Sequence, residues 1–563
     1  MSHEWAHPFG AEGAETVLSM FRPQRYAWTL LCEPNPTGRA LLVPARWSIA
    51  PLVLADQFAE VVVWESEPRR AGVLGRFFKR LGVPVNVVSA PLDTLLDHNG
   101  RHRLVVLEDS YAQLSRTHGS GVARSVSRLL EPGGQCLVVT GNRWGWDNIK
   151  RALTFPKRAR ALADVGGLPS LGGLRRALRD ASLAAQRVYG LYPDHRDTEE
   201  MLGWNRSLPL HRNRGAARIL DRLGLVKWVH HGLAVVAGHD TAGSSFIDGL
   251  LRHLRESLAL NATPEISDCR FQEIGALLAF VRLPGNREGV LRVALSKLAQ
   301  VRMERAGDIL EALRTRAPEL YALAPPQLAA GVFHGRTYTL EAKLPGVTAA
   351  SLMVNPQATR RILESTLELL ASLNQVERRS HHVDQGFVER RLGPWFATMQ
   401  RYVGGCSDRL EKIYGHLTHA FRGLDLPLVW AHGDLNVDNM LLDPRDLTLT
   451  GVIDWDHGTR EGLPLHDLLH FLLSVRRLSG DRPIGDVVVS AMEGRLFEPH
   501  ERAALTRHGT MLGIPESLRT PLLITYWAQH VGEQLDEAAG QLTESWIDNN
   551  FRIPLERIGG LVG

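Results

Sequence analysis

Apolar and polar positions change rhythm twice along the chain. Residues 39 to 45 (RALLVPA), 61 to 66 (VVVWES), 85 to 90 (VNVVSA), 103 to 109 (RLVVLED) and 135 to 141 (QCLVVTG) are short, nearly continuous apolar runs. They are rich in β-branched residues. Between them lie stretches of helical period, IAPLVLADQF, PRRAGVLGRFFKRLG and GVARSVSRLLEPGG. Runs without alternation predict strands buried on both faces, and their alternation with amphipathic helices predicts a doubly wound parallel sheet. LGLVKWVHHGLAVVAGH (223 to 239) predicts closing strands. DTAGSS (240 to 245) is small and polar, and predicts a boundary before the helix FIDGLLRHLRESL. An α/β domain over residues 1–240 is therefore expected.

After that boundary the grammar differs. FQEIGALLAFVRLPGNREGVLRVALS (271 to 296) predicts an antiparallel hairpin about a Pro-Gly-Asn turn. KLAQVRMERAGDILEALRTRA predicts a helix, and AAGVFHGRTYTLEAKLPG (329 to 346) a second hairpin about His334-Gly335. Beyond residue 350 helical period dominates. Residues 241–349 are expected to form a linker helix and a small sheet-rich lobe, and 350–563 a larger helical lobe.

Length and composition narrow the options. A chain of 563 residues exceeds what one core organises, so two or three domains are expected. The net charge is only +4 and no basic block stands out, which excludes nucleic acid as the main partner. Cys32, Cys136, Cys269 and Cys406 are far apart, with no metal-ligand spacing, and read as unpaired thiols of a reducing compartment. No apolar run approaches the ~20 residues of a membrane span. The opening MSHEWAHPFGAEGAE lacks a basic region followed by an apolar core, so a cytoplasmic protein is expected.

The chemistry concentrates in WAHGDLNVDNMLLDP, Trp430 to Pro444, and GVIDWDHG shortly after it. Carboxylates beside apolar strands are costly to bury unless something cationic joins them. HGDLNVDN followed by VIDWD resembles the catalytic signature of the aminoglycoside phosphotransferase and choline kinase superfamily, whose members share a two-lobed, protein-kinase-like α+β fold. The resemblance covers roughly residues 260 to 550. It implies ATP and Mg²⁺ as cofactors and a small-molecule hydroxyl as phosphoryl acceptor. Phosphoryl transfer needs an aligned nucleophile and cations on the phosphates, and Mg²⁺ takes one or two protein carboxylates plus phosphate oxygens. Asp454 would be the carboxylate ligand, Asn439 a neutral oxygen ligand, and Asp434 the base beside the attacking hydroxyl. Asp456 would reach a second metal or face solvent. His432 would be a hydrogen-bonding residue of the loop. In LHDLLHFLL, Asp467 matches a position that braces that loop. On the small lobe Arg292 would hold nucleotide phosphate, paired with Glu304, or else with Glu311. The bland alternative is an arginine snorkelling to solvent. No glycine-rich phosphate loop is evident beyond Gly275.

The amino-terminal part resembles a class I S-adenosylmethionine (SAM)-dependent methyltransferase, by strand order and by RLLEPGGQCLVVTGNRWG. Glu65 matches the acid that would bind a ribose, its alternative being an exposed strand-end carboxylate. Where such proteins carry a glycine turn after the first strand, this chain has Pro44 and Arg46, which would crowd a cofactor. A degenerate domain is expected, used for scaffolding, substrate presentation or contact with a protein partner. The expected function is ATP-dependent phosphorylation of an aminoglycoside, sugar, amino alcohol or glycan intermediate. The alternatives are a bifunctional methyltransferase–kinase and a non-catalytic nucleotide-binding regulator.

Overall fold

The computed structural model describes residues 23–48, 50–91, 94–95, 100–119, 121–143, 145, 168–193, 198–203, 230–239, 245–272, 274–402, 407–480, 482–537 and 542–562. Residues 240–244 of the expected boundary, and Cys406, lie outside them. The chain separates into two compact units that do not follow chain order. One joins Val301–Pro326 to Lys343–Gly563; the other joins the described residues before Val301 to Gln327–Ala342.

The second of these is built on one mixed sheet. Its strands are β1 (Asn35–Pro44), β2 (Phe58–Glu65), β3 (Val85–Ser89), β4 (His102–Glu108), β5 (Leu130–Gly141), β6 (Ala184–Pro193), β7 (Thr198–Gly203), β8 (Gly232–Gly238), β9 (Glu265–Gln272), β10 (Ala276–Leu283), β11 (Arg287–Ala294), β12 (Gln327–Phe333) and β13 (Arg336–Ala342). They run in the order β12-β13-β11-β10-β9-β7-β6-β8-β5-β4-β1-β2-β3. From β3 to β5 neighbours are parallel, and β8 lies antiparallel to both β5 and β6. The apolar runs explain this: Leu41, Val63, Val105 and Val138 are fully buried in strands covered on both faces. Helix α1 (Pro68–Leu81) opens on a proline, which needs no N–H partner there, and stops at Gly82 in the left-handed conformation, φ 65°. Helix α2 (Phe246–Ser257) starts on a reciprocal capping box between Ser245 and Asp248.

The hairpin β10–β11 turns at Gly285 and Asn286, both with positive φ (78° and 61°). Strands β10 to β13 are the two hairpins predicted for the small lobe, β9 adds a fifth strand that was not predicted, and here all five continue the amino-terminal sheet. The link is the antiparallel pairing of β7 with β9 at Glu200 and Arg270, which covers an edge that would otherwise be open. At the tip of the β12–β13 hairpin Arg336 is also buried. It donates to the Thr29 hydroxyl at 3.3 Å, and its guanidinium lies over the Phe246 ring, 5.4 Å from its centroid.

The other unit is mainly helical, around a core that includes Trp430, Phe471, Trp527 and Phe551. Helix α3 (Lys297–Arg316) enters it from Val301 onward. It also holds the short strands β14 (Val347–Thr348), β15 (Arg379–His382), β16 (Asp425–Ala431), β17 (Met440–Leu442), β18 (Leu449–Val452) and β19 (Thr459–Gly462). Helices α4 (His466–Gly480) and α5 (Arg519–Glu537) flank the loops after β16 and β18. Among the described residues no helix is long and apolar enough to cross a membrane.

Candidate active site

The two acidic segments meet because β17 and β18 form a hairpin. Met440 pairs with Val452, and the ladder extends one step further, where Ile453 N–H donates to the Asn439 carbonyl at 2.9 Å. Asn439 and Asp454 thus stand at the same end of that hairpin. Asp454 itself is left-handed, φ 67° and ψ 59°, a conformation that Asp tolerates better than most residues.

The loop between β16 and β17 is fixed by its neighbours. Asp467, in the first turn of α4, accepts the N–H groups of His432 (2.7 Å, Oδ2) and Gly433 (2.8 Å, Oδ1). Two backbone donors on one buried carboxylate make a strong, directional anchor. His432 is fully buried, its Nε2 lies 3.0 Å from the Ile453 carbonyl, and its Nδ1 accepts the Asp434 N–H at 3.3 Å. That assigns the ring hydrogen to Nε2 and makes His432 a link between the two acidic segments. Gly433 has φ 80°, and a Cβ there would come within 2.3 Å of the His457 carbonyl oxygen.

Asp434 has a partner on each carboxylate oxygen. Asn439 donates its amide to the Asp434 carbonyl at 2.9 Å and to Oδ2 at 3.0 Å. His470 of α4 places Nε2 2.9 Å from Oδ1. Burial alone would raise the Asp434 carboxyl, but the bond and charge of His470, with His432 and His457 behind it, hold it well below the usual carboxylate range. Behind His470, its Nδ1 meets the Tyr526 hydroxyl of α5 at 2.8 Å. Burial pushes the Tyr526 phenol up and the neighbouring His530 down to about 3. Further along α5, Glu533 faces His457 at 4.0 Å and Glu537 is ion-paired with Arg302 of α3. Burial pushes Glu533 up to about 7.

Asp434, Asn439, Asp454, His432 and Asp467 thus gather in one place. Asp456 is 3% exposed, so it does not face solvent. Arg292 is 5% exposed on β11, between Leu278 of β10 and Thr339 of β13. It is not a snorkelling arginine, because its guanidinium is kept from water. Glu304 is exposed on α3 and falls in the other compact unit, while Glu311 is bound to Arg314 at 2.6 Å on the same helix. Motif reading missed His470, Tyr526 and His530. Its only trace was the spacing of His466 and His470, which puts both on one face of α4.

Among the described residues no three of His, Cys, Asp and Glu gather as a metal cluster. Asn439 and Asp454 could hold only a cation that brings further oxygens with it. An amide oxygen and a carboxylate suit Mg²⁺ arriving with phosphate.

In the amino-terminal sheet, strand order reverses between β1 and β4, where open α/β sheets place ligands. That crevice is bridged from within. Glu65 is fully buried rather than an exposed strand end, and its Oε1 takes the Arg70 guanidinium at 2.7 Å and the Glu67 N–H at 2.8 Å. Arg70 also donates to the Ala45 carbonyl at 3.3 Å. After Pro44, Ala45 N–H bonds the Glu108 carbonyl (2.9 Å), and Arg46 lies 3.9 Å from Asp109.

Residues 275–505 match the sequence model of the phosphotransferase enzyme family. A stretch of 135 residues is 27% identical to acyl-CoA dehydrogenase family member 11 of Mus musculus, covering 23% of this chain and 16% of that protein. The chain thus spans less than a fifth of that relative. Among solved structures, macrolide 2′-phosphotransferase from Brachybacterium faecium aligns with 55% of this chain and 98% of its own, at 19% identity and TM-score 0.36. Geranyl diphosphate C-methyltransferase from Streptomyces coelicolor A3(2) aligns with 38% and 78%, at 14% identity and TM-score 0.28. Residues 275–505 of this chain therefore match the phosphotransferase enzyme family, and they follow an α/β sheet whose strands β3 to β5 are parallel.

Proposed function

We propose that this protein transfers the γ-phosphoryl group of ATP to a hydroxyl of a small molecule. The observation that carries the reading is the arrangement of Asp434, Asn439 and Asp454 about the β17–β18 hairpin, each on a backbone pinned by hydrogen bonds. Asp434 orients the acceptor hydroxyl and takes its proton as the oxygen attacks phosphorus. Its depressed pKa keeps it ionised, so that it accepts a hydrogen bond from that hydroxyl. Asn439 spends its amide nitrogen on Asp434, which turns its oxygen toward a cation; Asp454 supplies the carboxylate. When bound, Mg²⁺ would neutralise charge on the phosphates. Arg292, buried on β11, is assigned to nucleotide phosphate, and the segment after β13 to the nucleotide base. A cytoplasmic, reducing setting suits the buried thiols Cys32 and Cys136.

The functional division is 1–240 as a degenerate methyltransferase-like domain, 241–349 as linker helix and kinase-like small lobe, and 350–563 as the large lobe with the catalytic site. Arg70 across the ends of β1 and β2 supports a scaffolding or partner-binding role for the first of these over SAM chemistry. The acceptor class spans aminoglycosides, other sugars, amino alcohols and glycan intermediates. Purified protein incubated with MgATP and a metabolite extract, then read by mass spectrometry, tests the function. A metabolite gaining one phosphate is expected; no such species, together with no turnover of ATP, overturns the proposal.

A further inference from the structure

Two of the three groups that donate to Asp434, Asn436 (3.4 Å to Oδ1) and Asn439, belong to its own loop. The third, His470, comes from α4 and is itself held by α5. We propose that His470, set by Tyr526, is the positioning residue that fixes the Asp434 carboxylate against the acceptor hydroxyl. This rests on the reading of Asp434 as the base.

Hydrogen-bond direction carries the argument. A carboxylate only accepts, so His470 Nε2 must carry a hydrogen, whatever the charge on the ring. In the neutral ring Nδ1 is then the acceptor, and the Tyr526 hydroxyl at 2.8 Å supplies its proton. Tyr526 is 5% exposed and stacks on His530, with ring centroids 6.0 Å apart, so it has few alternative orientations. The chain from Tyr526 through His470 to Asp434 points one way. It fixes one tautomer and one carboxylate rotamer. A proton relay through His470 does not fit, because Nε2 already holds the hydrogen that bonds Asp434. The Asn439 amide fixes the other carboxylate oxygen, so the two donors together hold the plane of the carboxyl group. Oδ1 also takes the Asn436 amide at 3.4 Å, so it is Oδ2 that keeps a lone pair for a substrate. Small errors in such placement are expensive in rate, which is the general reason for a second supporting layer.

The test uses the full chain, MgATP, and water as the phosphoryl acceptor, with release of inorganic phosphate as readout. His470→Ala is expected to lower kcat about 10- to 100-fold, with KM for ATP within about 2-fold. His470→Gln places an amide N–H near the position of Nε2, and should recover all but about 3-fold of the loss. Tyr526→Phe removes only the hydroxyl and should fall between the two. Thermal melts of the Gln and Phe variants that overlay the parent show that folding is intact, should the Ala variant not fold. Asp434→Asn runs alongside. If it is impaired while His470→Ala keeps full kcat, the positioning role is wrong and the base stands. Equal losses in His470→Ala and His470→Gln would also overturn it, because the imidazole would then be filling space and not donating. If the parent turns over no ATP, or Asp434→Asn matches it, the site reading fails and this inference falls with it.

Discussion

At the scale of single residues, Asp434 and Gly433 make opposite demands on adjacent positions. Asp434 is surrounded by donors, so replacing it by Asn changes little in shape but removes the acceptor of a proton. Asp434→Asn should lower turnover on the order of 10²–10⁴-fold, about 3–5 kcal/mol of barrier. Nucleotide affinity by titration calorimetry should stay within about 3-fold, since the role is at the acceptor. Near-parental turnover would show that Asp434 is not the base. Gly433 is a backbone demand. Its φ of 80° already disfavours a side chain, and the His457 carbonyl 2.3 Å from a Cβ leaves no room. Gly433→Ala should destabilise by more than about 1–2 kcal/mol, seen as a lower denaturation midpoint, and should displace the N–H that Asp467 accepts. An unchanged midpoint with full activity would mean that the loop adapts, contrary to the pinned geometry.

At the scale of elements, what was legible followed from what is local. The strand runs around Leu41, Val63 and Val105 and the turn at Pro284-Gly285-Asn286 declare themselves, because burial on both faces and turn chemistry act within a few residues. The pairing of β7 with β9 was not legible. It joins strands some seventy residues apart, and the pattern of either strand alone does not name its partner. The same limit hid His470 and Tyr526. Their contact with Asp434 depends on how α4 and α5 pack, which helical period sets only as a face. It also hid the fate of Glu65. Position at the end of β2 marked it as a ribose acid, but α1 brings Arg70 back onto it. A nucleoside cofactor would have to displace a guanidinium that bonds both Glu65 and Ala45. Titration of the intact protein with SAM should therefore give no measurable heat at concentrations up to about 1 mM, where binding free energy is only about 4 kcal/mol. Micromolar binding would restore the bifunctional alternative.

At the scale of the whole molecule, buried histidines make folding depend on pH. His230, His466 and His508 are pushed down to about 4 and His530 to about 3, in each case chiefly by burial. A histidine whose folded pKa lies below its ordinary value of 6.5 refuses a proton that the unfolded chain accepts. Its contribution is complete above about 6.5 and declines as pH falls toward 4. At pH 5 each should subtract about 2 kcal/mol relative to pH 7, from 1.36 kcal/mol per pKa unit. Carboxyl groups raised by burial, Asp467 and Glu533 among them, act the other way. Glu533, raised to about 7 by burial, favours the folded state as pH falls from 7 toward 4.5. Its side chain is 32% exposed, so water screens it, and it offsets about one histidine at most. Asp434 does not enter this window, because its depressed pKa contributes stability that is lost only as pH falls below the ordinary carboxylate range. Four histidines against these carboxyls leave a net loss on the order of 4 kcal/mol between pH 7 and pH 5, a large part of a typical folding free energy of about 5–15 kcal/mol. Urea titrations at the two pH values should show a clearly lower midpoint at pH 5. In His508→Gln, where an amide replaces the imidazole beside Asn374, the difference should shrink by about half, since that imidazole supplies about 2 of the roughly 4 kcal/mol and its ring nitrogen lies 2.9 Å from the Asn374 oxygen. Equal midpoints at pH 7 and pH 5 would mean that these rings take up protons in the folded state, and that the packing around α4 and α5 admits charge that the buried network described here excludes.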